Sequence, residues 1–409
     1  LKNSSVVNNS SLQHGGGIRC WNDSNIKLEN VVIANNTASQ FGGGMHCRNN
    51  SNPTLMNVTI INNNADVFGG GIYLRSDSNP IIVNSIVWGN TPQNIEFRAG
   101  TNQGNITFSY SDLQGGQDSI VTNDNGTVTW GDGNIDVDPM FVDSANGNYH
   151  LLASSQLINA GHPDSTDSDG SRADIGAFPY LNSYSGPTWY ISESGNDTTA
   201  TGASGDPFRS IQAGINFSSD ADSVTVAAGT YVENINFRGR DIKVVGADRE
   251  TTIIDGNQVQ SCVYFSGGAN NPLLKNFTLQ NGNGHYTGPN NRGGGGGVYV
   301  FGTSPKIENL IIKNNSTPYQ GGGIAIFDSG ENYQHIPIHI SNVKFLNNSA
   351  NSGGGLSTIA GDREVFINNC IFNGNFIDIG GGSSGGAIYS KGGTIIKYFN
   401  FSVRFLFSF

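Results

Sequence analysis

The phrase Gly15-Gly16-Gly17-Ile18 decides the fold, because it returns as Gly42-Gly43-Gly44-Met45 and again as Gly69-Gly70-Gly71-Ile72. Each copy begins 27 residues after the one before it. Later copies of the phrase start at Gly295, Gly321 and Gly353. Repetition at a fixed period of about 20 to 50 residues is the signature of a solenoid or another repeat architecture. Three glycines in a row indicate a bend where one stretch of backbone passes close to another.

An asparagine phrase keeps step with the glycines. Asn30, Asn57 and Asn84 are also 27 residues apart, and each lies in a run where apolar residues alternate with others. Alternation is the period of a half-buried strand, so a repeat of this length has room for three short strands and their turns. Stacked coils would pair each strand with its equivalent about 4.8 Å away and align the asparagines in one column.

The fold predicted from these two phrases is all-β, a right-handed parallel β-helix. A leucine-rich repeat would need a helical half and regular leucines, and a β-propeller would need about 40 residues per blade. Neither pattern is present in the sequence. Asparagine suits the turns of such a coil, because its side chain tolerates the left-handed backbone conformation and can hydrogen-bond to its copies in the next coil.

Composition restricts the class of protein. Charged residues make up 13% of the chain and aromatic residues 10%, a balance that favours an ordered fold over a disordered one. The net charge of −11 argues against a nucleic-acid partner, since phosphates require a basic footprint. No run of about 18 apolar residues exists, so no transmembrane segment is expected. From the architecture we expect a secreted or cell-surface protein.

The repeat phrases stop after Asn90 and return only late in the chain, which predicts two β-helix units. We expect residues 1–183 to be the C-terminal part of a first unit with its closing segment. Residues 184–409 are then the N-terminal cap and coils of a second unit, expected to be truncated. The chain opens within a repeat, and its tail 395–409 leaves the repeat pattern, so we expect a piece of a longer protein.

A short helix is predicted over residues 207–218, at the start of the second unit. Phe208, Ile211 and Ile215 follow the spacing of one helix face. An open β-helix end exposes its core and its unpaired strand edges, so it needs a cover. We therefore expect this helix to lie over the first coil of the second unit and to bury those three side chains.

A second pair of phrases marks the start of the second unit: residues 229–235, Gly-Thr-Tyr-Val-Glu-Asn-Ile, are followed by Thr252-Ile253-Ile254-Asp255-Gly256-Asn257. These phrases resemble the opening coils of bacterial secreted right-handed β-helix proteins of the pectin-lyase-like superfamily. Residues 138–178 resemble their closing segment, after which a surface-anchoring region commonly follows. The resemblance implies the fold and an extracellular location. It does not select an activity, because the fold hosts lyases, hydrolases, esterases and adhesins.

A basic, aromatic strand face is the first candidate site. If Ile18 and Cys20 point into the core, strand alternation turns the residues between them outward. Applied to three successive coils, this rule places six residues on one outer face: Arg19, Trp21, His46, Arg48, Tyr73 and Arg75. Sugars stack on aromatic faces, and arginine forks bind carboxylates, so the face suits an acidic glycan. The alternative is an ordinary solvated surface.

An acidic loop is the second candidate, with calcium as its possible cofactor. The residues that would surround the ion are Asp164, Asp167, Asp169 and Asp174. Clustered carboxylates suit calcium, although the spacing does not follow the EF-hand pattern. The alternative is a solvated acidic loop. No zinc motif, nucleophile motif or phosphate-binding loop is found in the sequence.

Two further columns have structural interpretations. His14, Phe41 and Phe68 each precede a glycine bend and are expected to pack as a stack of turn aromatics. Cys20 and Cys47 are expected one coil apart on the inner face, where either a disulfide or a pair of buried thiols would fit.

Two functional hypotheses follow, with an acidic polysaccharide or cell-surface glycan as the partner in both. The first is a non-enzymatic module that binds glycan, adheres to a surface or forms a structural stalk. The second is a polysaccharide lyase or glycoside hydrolase acting at the same face. We favour binding because no catalytic residues could be assigned: the face shows neither a carboxylate pair nor a calcium cluster.

Overall fold

A computed structural model of the protein describes residues 1–100, 103–286, 293–328, 336–359, 363–377, 385–391 and 395–399. The chain forms two compact units, Leu1–Ser183 and Tyr184–Phe409, which are called unit 1 and unit 2. Both are built from parallel strands that pair from one coil to the next, as expected for a right-handed parallel β-helix. Of the tail 395–409, residues Ile395–Phe399 form a strand of unit 2, and the remainder lies outside the described residues.

Unit 1 contains two stacked parallel sheets and a narrow ribbon. The long sheet comprises Lys2–Val7, Lys27–Ala34, Thr54–Ile61, Ile81–Val83, Ile86–Trp88, Gly104–Ser109, Asp112–Leu113 and Gly126–Trp130. The short sheet comprises Ile18–Trp21, Met45–Arg48, Ile72–Arg75 and Ile95–Phe97. The ribbon comprises Ser10–Ser11, Thr37–Ala38 and Asn64–Ala65. The register steps by 27 residues, as in the pairing of Ile18 with Met45.

The asparagine column predicted for unit 1 is confirmed. Asn30, Asn57 and Asn84 all have positive φ and occupy matching positions of the long sheet. Asn57 Nδ2 donates to Asn30 Oδ1 at 3.1 Å. At Asn84 the use of the side chain changes, because its Oδ1 accepts the backbone N–H of His162 at 2.7 Å. The column therefore ends where the closing segment docks.

A second asparagine ladder, which sequence reasoning missed, lies inside the coil. Asn36 and Asn63 are fully buried, and Asn90 is nearly so. The backbone N–H and Nδ2 of Asn36 both donate to Asn63 Oδ1, at 3.0 and 2.9 Å. Asn63 repeats both bonds to Asn90 and also donates to the Ile33 carbonyl at 2.8 Å. Each rung thereby satisfies polar groups that would be costly to bury unpaired.

Glycine is required at these bends because the backbones of successive coils approach each other closely there. Gly15, Gly42 and Gly69 have φ of +65°, +68° and +61°, a region that side chains disfavour. A Cβ on Gly16 would collide with the carbonyl oxygens of Thr37 and Gly43. Only glycine fits there, because one coil passes directly under the next.

The end of unit 1 is less regular. Phe141–Asp143 and Asn148–Leu151 pair as antiparallel strands, and short 3₁₀ helices occupy Gln117–Ser119 and Ser144–Asn146. The closing segment returns to the long sheet, where the Ala177 N–H donates to Thr59 Oγ1 at 3.0 Å.

Unit 2 has three parallel sheets, one on each side of the coil. The first sheet comprises Thr188–Ile191, Ser223–Val226, Lys243–Gly246, Leu273–Lys275, Lys306–Glu308, Ile338–Ser341, Glu364–Asn368 and Ile395–Phe399. The second comprises Gly229–Val232, Thr252–Asp255, Thr278–Gln280, Ile311–Lys313, Lys344–Leu346 and Ile371–Asn373. The third comprises Ile235–Asn236, Val263–Phe265, Val298–Phe301, Ile324–Phe327, Leu356–Ile359 and Ile388–Ser390.

Two short strand pairs extend the turns of unit 2. His285–Tyr286 pairs antiparallel with Gly293–Gly294, and Ser349–Ala350 pairs parallel with Phe376–Ile377. Asn315 and Asn348 continue the buried ladder seen in unit 1, since the Nδ2 of Asn315 donates to Asn348 Oδ1 at 3.0 Å. The same internal hydrogen-bonding device therefore supports both units.

The predicted capping helix is confirmed, with shorter bounds. The α-helix, α1, spans Ile211–Phe217 and packs against the strands Thr188–Ile191 and Ser223–Val226 of the first sheet. Phe208, Ile211 and Ile215 are fully buried, as predicted. Glu233, from the first coil, accepts the N–H groups of Ile211 at 2.8 Å and Gln212 at 3.0 Å. The helix is thus anchored to the first coil through its own N-terminus.

Candidate functional site

The outer face of the short sheet of unit 1 carries two rows of side chains. Along the first row, Arg19, His46, Tyr73 and Glu96 are register partners in successive coils. Along the second row, Trp21, Arg48 and Arg75 are partners in the same way. Strand alternation places Cys20, Cys47 and Leu74 in the core cluster between these rows. All six residues of the predicted face therefore lie on one sheet.

The middle of the first row is closed to solvent, which differs from the expected exposed face, whereas Arg19 at its end is exposed. His46 and Tyr73 are only 1% and 2% exposed, although they point away from the core. The turn aromatics before the glycine bends cover them: His14 lies 5.0 Å from His46 between ring centroids, and Phe41 stacks on Tyr73 at 4.8 Å. The prediction of a stacked aromatic column at these turns is confirmed, since Phe41 and Phe68 stack at 5.9 Å.

Burial keeps the side chains of His46 and Tyr73 neutral near pH 7. Both ring nitrogens of His46 lack a hydrogen-bond partner among the described residues. Burial, reinforced by the nearby His14 and arginine charges, lowers the pKa of His46 to about 3. Burial likewise raises the pKa of Tyr73 to about 12. His46 and Tyr73 therefore belong to an outer packing layer and not to a charged contact surface.

The second row supplies the accessible part of the site. Trp21 is 49% exposed, and the guanidinium carbons of Arg19 and Arg48 lie 4.6 and 5.6 Å from its ring centroid. Arg48 Nε donates to Asn49 Oδ1 at 3.1 Å, which orients its guanidinium. Within the described part of the chain, neither these two arginines nor Arg75 forms an ion pair with a carboxylate. The charges of these guanidinium groups are therefore not neutralised by a carboxylate of the described residues.

Two residues of this sheet were missed by sequence reasoning. The strand Ile95–Phe97 pairs with Ile72–Arg75, so Glu96 joins the first row, and Arg98 follows directly after Phe97. The Arg98 N–H donates to the Leu74 carbonyl at 2.9 Å, which continues the second row. The shorter spacing from Tyr73 to Glu96, without a glycine phrase, concealed this coil. The alternation of Ile95, Glu96, Phe97 and Arg98 was the signal that could have revealed it.

Glu96 is the carboxylate within these two rows, and it is buried. It is 3% exposed, and its Oε1 accepts a hydrogen bond from Asn123 Nδ2 at 3.0 Å. Burial raises its pKa. The described residues form no ion pair between Glu96 and either Arg48 or Arg75.

The four aspartates of the predicted calcium loop do not assemble into a metal site. Among the described residues, which include all four, no group of three or more histidine, cysteine, aspartate or glutamate side chains could hold an ion. Asp174 instead accepts the N–H groups of Asn159 and Tyr180, each at 2.7 Å. Asp167 accepts the N–H of Asp174 at 2.9 Å, and Asp169 accepts the N–H of Asn182 at 2.8 Å. Asp164 is exposed.

Burial also affects the protonation of this loop. It raises the pKa of Asp174 to about 8 and that of Asp167 to about 6. Asp167, Asp169 and Asp174 hold the closing loop in place by accepting hydrogen bonds from its backbone N–H groups. The spacing of acidic residues in the sequence is the same for this role as for metal binding, so the sequence alone does not distinguish the two.

Cys20 and Cys47 are register partners on the inner face, as expected. Both are free and buried, so the thiol alternative describes this structure. They take no part in the outer rows.

Comparison with known proteins identifies the repeat. Residues 1–139 match the family model described as the right handed beta helix region. No curated protein and no solved structure matches the chain. Among the described residues, no helix is long and apolar enough to cross a membrane. The stacked parallel strands of both units have the fold of a right-handed parallel β-helix, and the family match covers residues 1–139 of unit 1.

Proposed function

We propose that this chain is a secreted or cell-surface β-helix module that binds an acidic polysaccharide through the second row of the short sheet, without cleaving it. The row consists of Trp21, Arg48, Arg75 and Arg98, with Arg19 beside the tryptophan. The observation that carries the proposal is the half-exposed Trp21 ring with guanidinium groups 4.6 and 5.6 Å from its centroid.

The chemistry of the row matches a uronic-acid polymer. A guanidinium group presents a fork of N–H donors that binds a carboxylate with two hydrogen bonds, and an indole offers an apolar surface to a sugar ring. Consecutive strands are about 4.8 Å apart, so the row from Trp21 to Arg98 spans about 14 Å. That length accommodates a few sugar residues.

The charge of the protein as a whole makes this row distinctive. The chain carries 32 acidic and 21 basic side chains, and a polyanion would be repelled by most of its surface. Arg75 lies close enough to Arg48 and Arg98 that burial and these charges together lower its pKa. An anionic ligand would relieve this repulsion between arginines. Affinity from one short row is expected to be weak, and several copies acting together would raise it.

A polysaccharide lyase or glycoside hydrolase remains the competing hypothesis for the same face. Glycoside hydrolysis ordinarily requires two accessible carboxyl groups facing the scissile bond. The carboxylate that joins this sheet, Glu96, is buried and bonded to Asn123. Its position is why binding without cleavage is proposed.

The test uses the full chain with a uronic-acid oligosaccharide and a neutral oligosaccharide of equal length. Calorimetry should show binding of the acidic ligand alone, and Arg48→Ala with Arg75→Ala should weaken it at least tenfold. The matched control, Lys2→Ala with Lys27→Ala, removes two positive charges from the long sheet of the same unit and should change affinity less than twofold. Unchanged affinity in the arginine variant would contradict the proposal. New reducing or unsaturated ends would establish the enzymatic alternative.

A further inference from the structure

Two cysteines lie side by side in the core of unit 1. Cys20 and Cys47 are register partners on the first two strands of the short sheet. Their exposed fractions are 1% and 0%, and both side chains belong to the core cluster. Both are free thiols. In the next two coils the same inward column continues with Leu74 and Phe97, so the two thiols are neighbours in an otherwise apolar column.

The geometry of the pair suits a covalent bond. Register partners on adjacent parallel strands have Cα atoms about 4.8 Å apart. A disulfide requires Cα atoms about 4.4–6.8 Å apart and Cβ atoms that do not point away from each other. Cys20 and Cys47 both point into the core, so their side chains run alongside each other. A bond between the two sulfur atoms therefore fits between the first two coils.

The two thiols differ in acidity. A hydrogen bond from the Cys47 thiol lowers the pKa of Cys20, burial opposes this effect, and a hydrogen bond from the Ser24 hydroxyl assists it. The same contact with Cys20, together with burial, raises the pKa of Cys47 well above its usual range. Because the thiolate is the nucleophile, Cys20 is the thiol that reacts first with an oxidant. Cys47 is then the neighbour that completes a disulfide.

Burial restricts the kind of oxidant that can reach the pair. A thiol that attacks a small-molecule disulfide passes through a mixed disulfide. The apolar core around Cys20 has no room for a group as large as glutathione unless the coil opens. Hydrogen peroxide is little larger than a water molecule and oxidises a thiolate without leaving a bulky group behind. The folded protein is therefore expected to react with peroxide far more readily than with glutathione disulfide.

We propose that Cys20 and Cys47 are an oxidation site at which a peroxide produces a disulfide between the first two coils of unit 1. In the first step the Cys20 sulfur attacks one oxygen of hydrogen peroxide and the O–O bond breaks. Cys20 becomes a sulfenic acid, and the leaving hydroxide takes the thiol proton to form water.

In the second step the Cys47 sulfur attacks the Cys20 sulfur. The S–O bond breaks as the S–S bond forms, and the hydroxyl group leaves with the Cys47 proton as a second water molecule. The two thiols together lose two electrons, which reduce one peroxide to two water molecules. No further oxidant or reductant is required.

The cross-link acts on the strands that carry part of the outer face. Trp21 and Arg48 directly follow Cys20 and Cys47, and they are register partners in the same strand pair. A disulfide at the inner positions fixes these two strands to each other. It also restricts the unfolded chain, which stabilises the coils that it joins. This consequence does not depend on what the outer face binds.

The test maps the bond in the unmodified full chain. The folded protein is treated with hydrogen peroxide, unfolded in the presence of an alkylating reagent, and analysed by mass spectrometry of its peptides. We expect the Cys20 and Cys47 peptides to be joined, and the link to disappear after reduction. Cys262, an equally buried thiol of unit 2 whose Sγ contacts the Gln280 carbonyl at 3.2 Å, is the internal control and should remain alkylatable.

Three results of this mapping would overturn the proposal. The first is that both Cys20 and Cys47 are alkylated after peroxide treatment. The second is that Cys20 is oxidised to a sulfinic acid without forming the link. The third is that glutathione disulfide, used at the same concentration, produces as much of the link as peroxide, whereas we expect at least tenfold less.

Single variants test the order of the two steps. Cys47→Ser should accumulate a sulfenic acid at Cys20, which dimedone traps, whereas Cys20→Ser should leave Cys47 unmodified at the same dose of peroxide. The reverse pattern would overturn the assignment of Cys20 as the attacking thiol. Melting temperatures establish that each variant is folded, and Cys47→Ala replaces any serine variant that is not. In the oxidised unmodified chain, amide exchange in the first two strands of the short sheet should slow at least tenfold, with unit 2 unchanged. Equal exchange before and after oxidation would contradict the cross-link.

Discussion

At the scale of single residues, two side chains on the same outer face of one strand differ in their exposure to solvent. His46 and Arg48 both point away from the core of unit 1, but His46 is covered by turn aromatics and Arg48 is not. The difference arises because the residue before each glycine bend folds back over the first row alone. Residues that alternation assigns to one face therefore divide into packing and contact roles.

His46 should make unit 1 less stable in mild acid. Its folded pKa of about 3 lies below the ordinary value of 6.5, so only the unfolded chain takes up the proton as pH falls. The contribution of neutral His46 is complete above about pH 6.5 and is lost on going down toward pH 3. At pH 5 the expected loss is about 2 kcal/mol relative to pH 7.

Denaturant unfolding of the wild type and His46→Phe at pH 7 and pH 5 measures this effect. The phenylalanine variant should lose less stability between the two pH values, by about the same 2 kcal/mol. A His14→Phe variant, altered at the neighbouring imidazole, shows how much of the slope belongs to His14. Parallel pH profiles for wild type and His46→Phe would contradict the prediction.

At the scale of elements, the helix that caps unit 2 is stabilised by a residue that follows it in the chain. Glu233 belongs to the phrase at residues 229–235, yet its carboxylate receives the first two N–H groups of α1. The seven-residue helix is too short to be stable alone and depends on packing and on this cap. The glutamate therefore couples the first complete coil to the element that closes the end.

Removing this cap should destabilise unit 2. Glu233→Ala leaves two N–H groups of α1 without their partner, and we expect a loss of about 1–2 kcal/mol in the free energy of unfolding. Glu233→Gln retains an acceptor oxygen and should lose less. Glu250→Ala is the control, because Glu250 is an exposed glutamate of the same unit. Equal stability of Glu233→Ala and Glu250→Ala in urea would show that the cap contributes nothing.

At the scale of the whole molecule, each unit has its own buried asparagine ladder. Asn63 occupies the centre of the ladder in unit 1, and Asn348 has the same place in unit 2. Each side chain bonds to the asparagines of the coils before and after it. Loss of one ladder asparagine leaves several buried polar groups without hydrogen-bond partners. The resulting loss of stability is expected in the coils that this asparagine connects.

We predict that the two ladders support their units separately. Asn63→Ala should cost about 3 kcal/mol and should accelerate amide exchange in the strands of unit 1. Asn348→Ala, the matched variant, should accelerate exchange in unit 2 instead. Hydrogen exchange followed by mass spectrometry on the full chain resolves the two patterns. If either variant accelerated exchange equally in both units, the ladders would not be separate supports.

The register of the glycine-containing coils and the position of the cap could be predicted from the sequence alone. The 27-residue spacing of the glycine and asparagine phrases leads directly to the pairing of Ile18 with Met45 and to the column through Asn30 and Asn57. The apolar spacing of Phe208, Ile211 and Ile215 likewise predicted the buried face of the cap. These features follow from local periodicity, because in a solenoid each coil contacts mainly its neighbours.

Tertiary packing, which the sequence pattern does not show, sets which outward side chains reach solvent and which acidic groups bind backbone N–H groups. Alternation along a strand says that His46 leaves the core, but the turn that covers it comes from a different part of the coil. The pattern of aspartates likewise cannot show that Asp174 caps two distant N–H groups. Burial and hydrogen bonding depend on what approaches from elsewhere in the chain, and that approach is a property of three-dimensional packing.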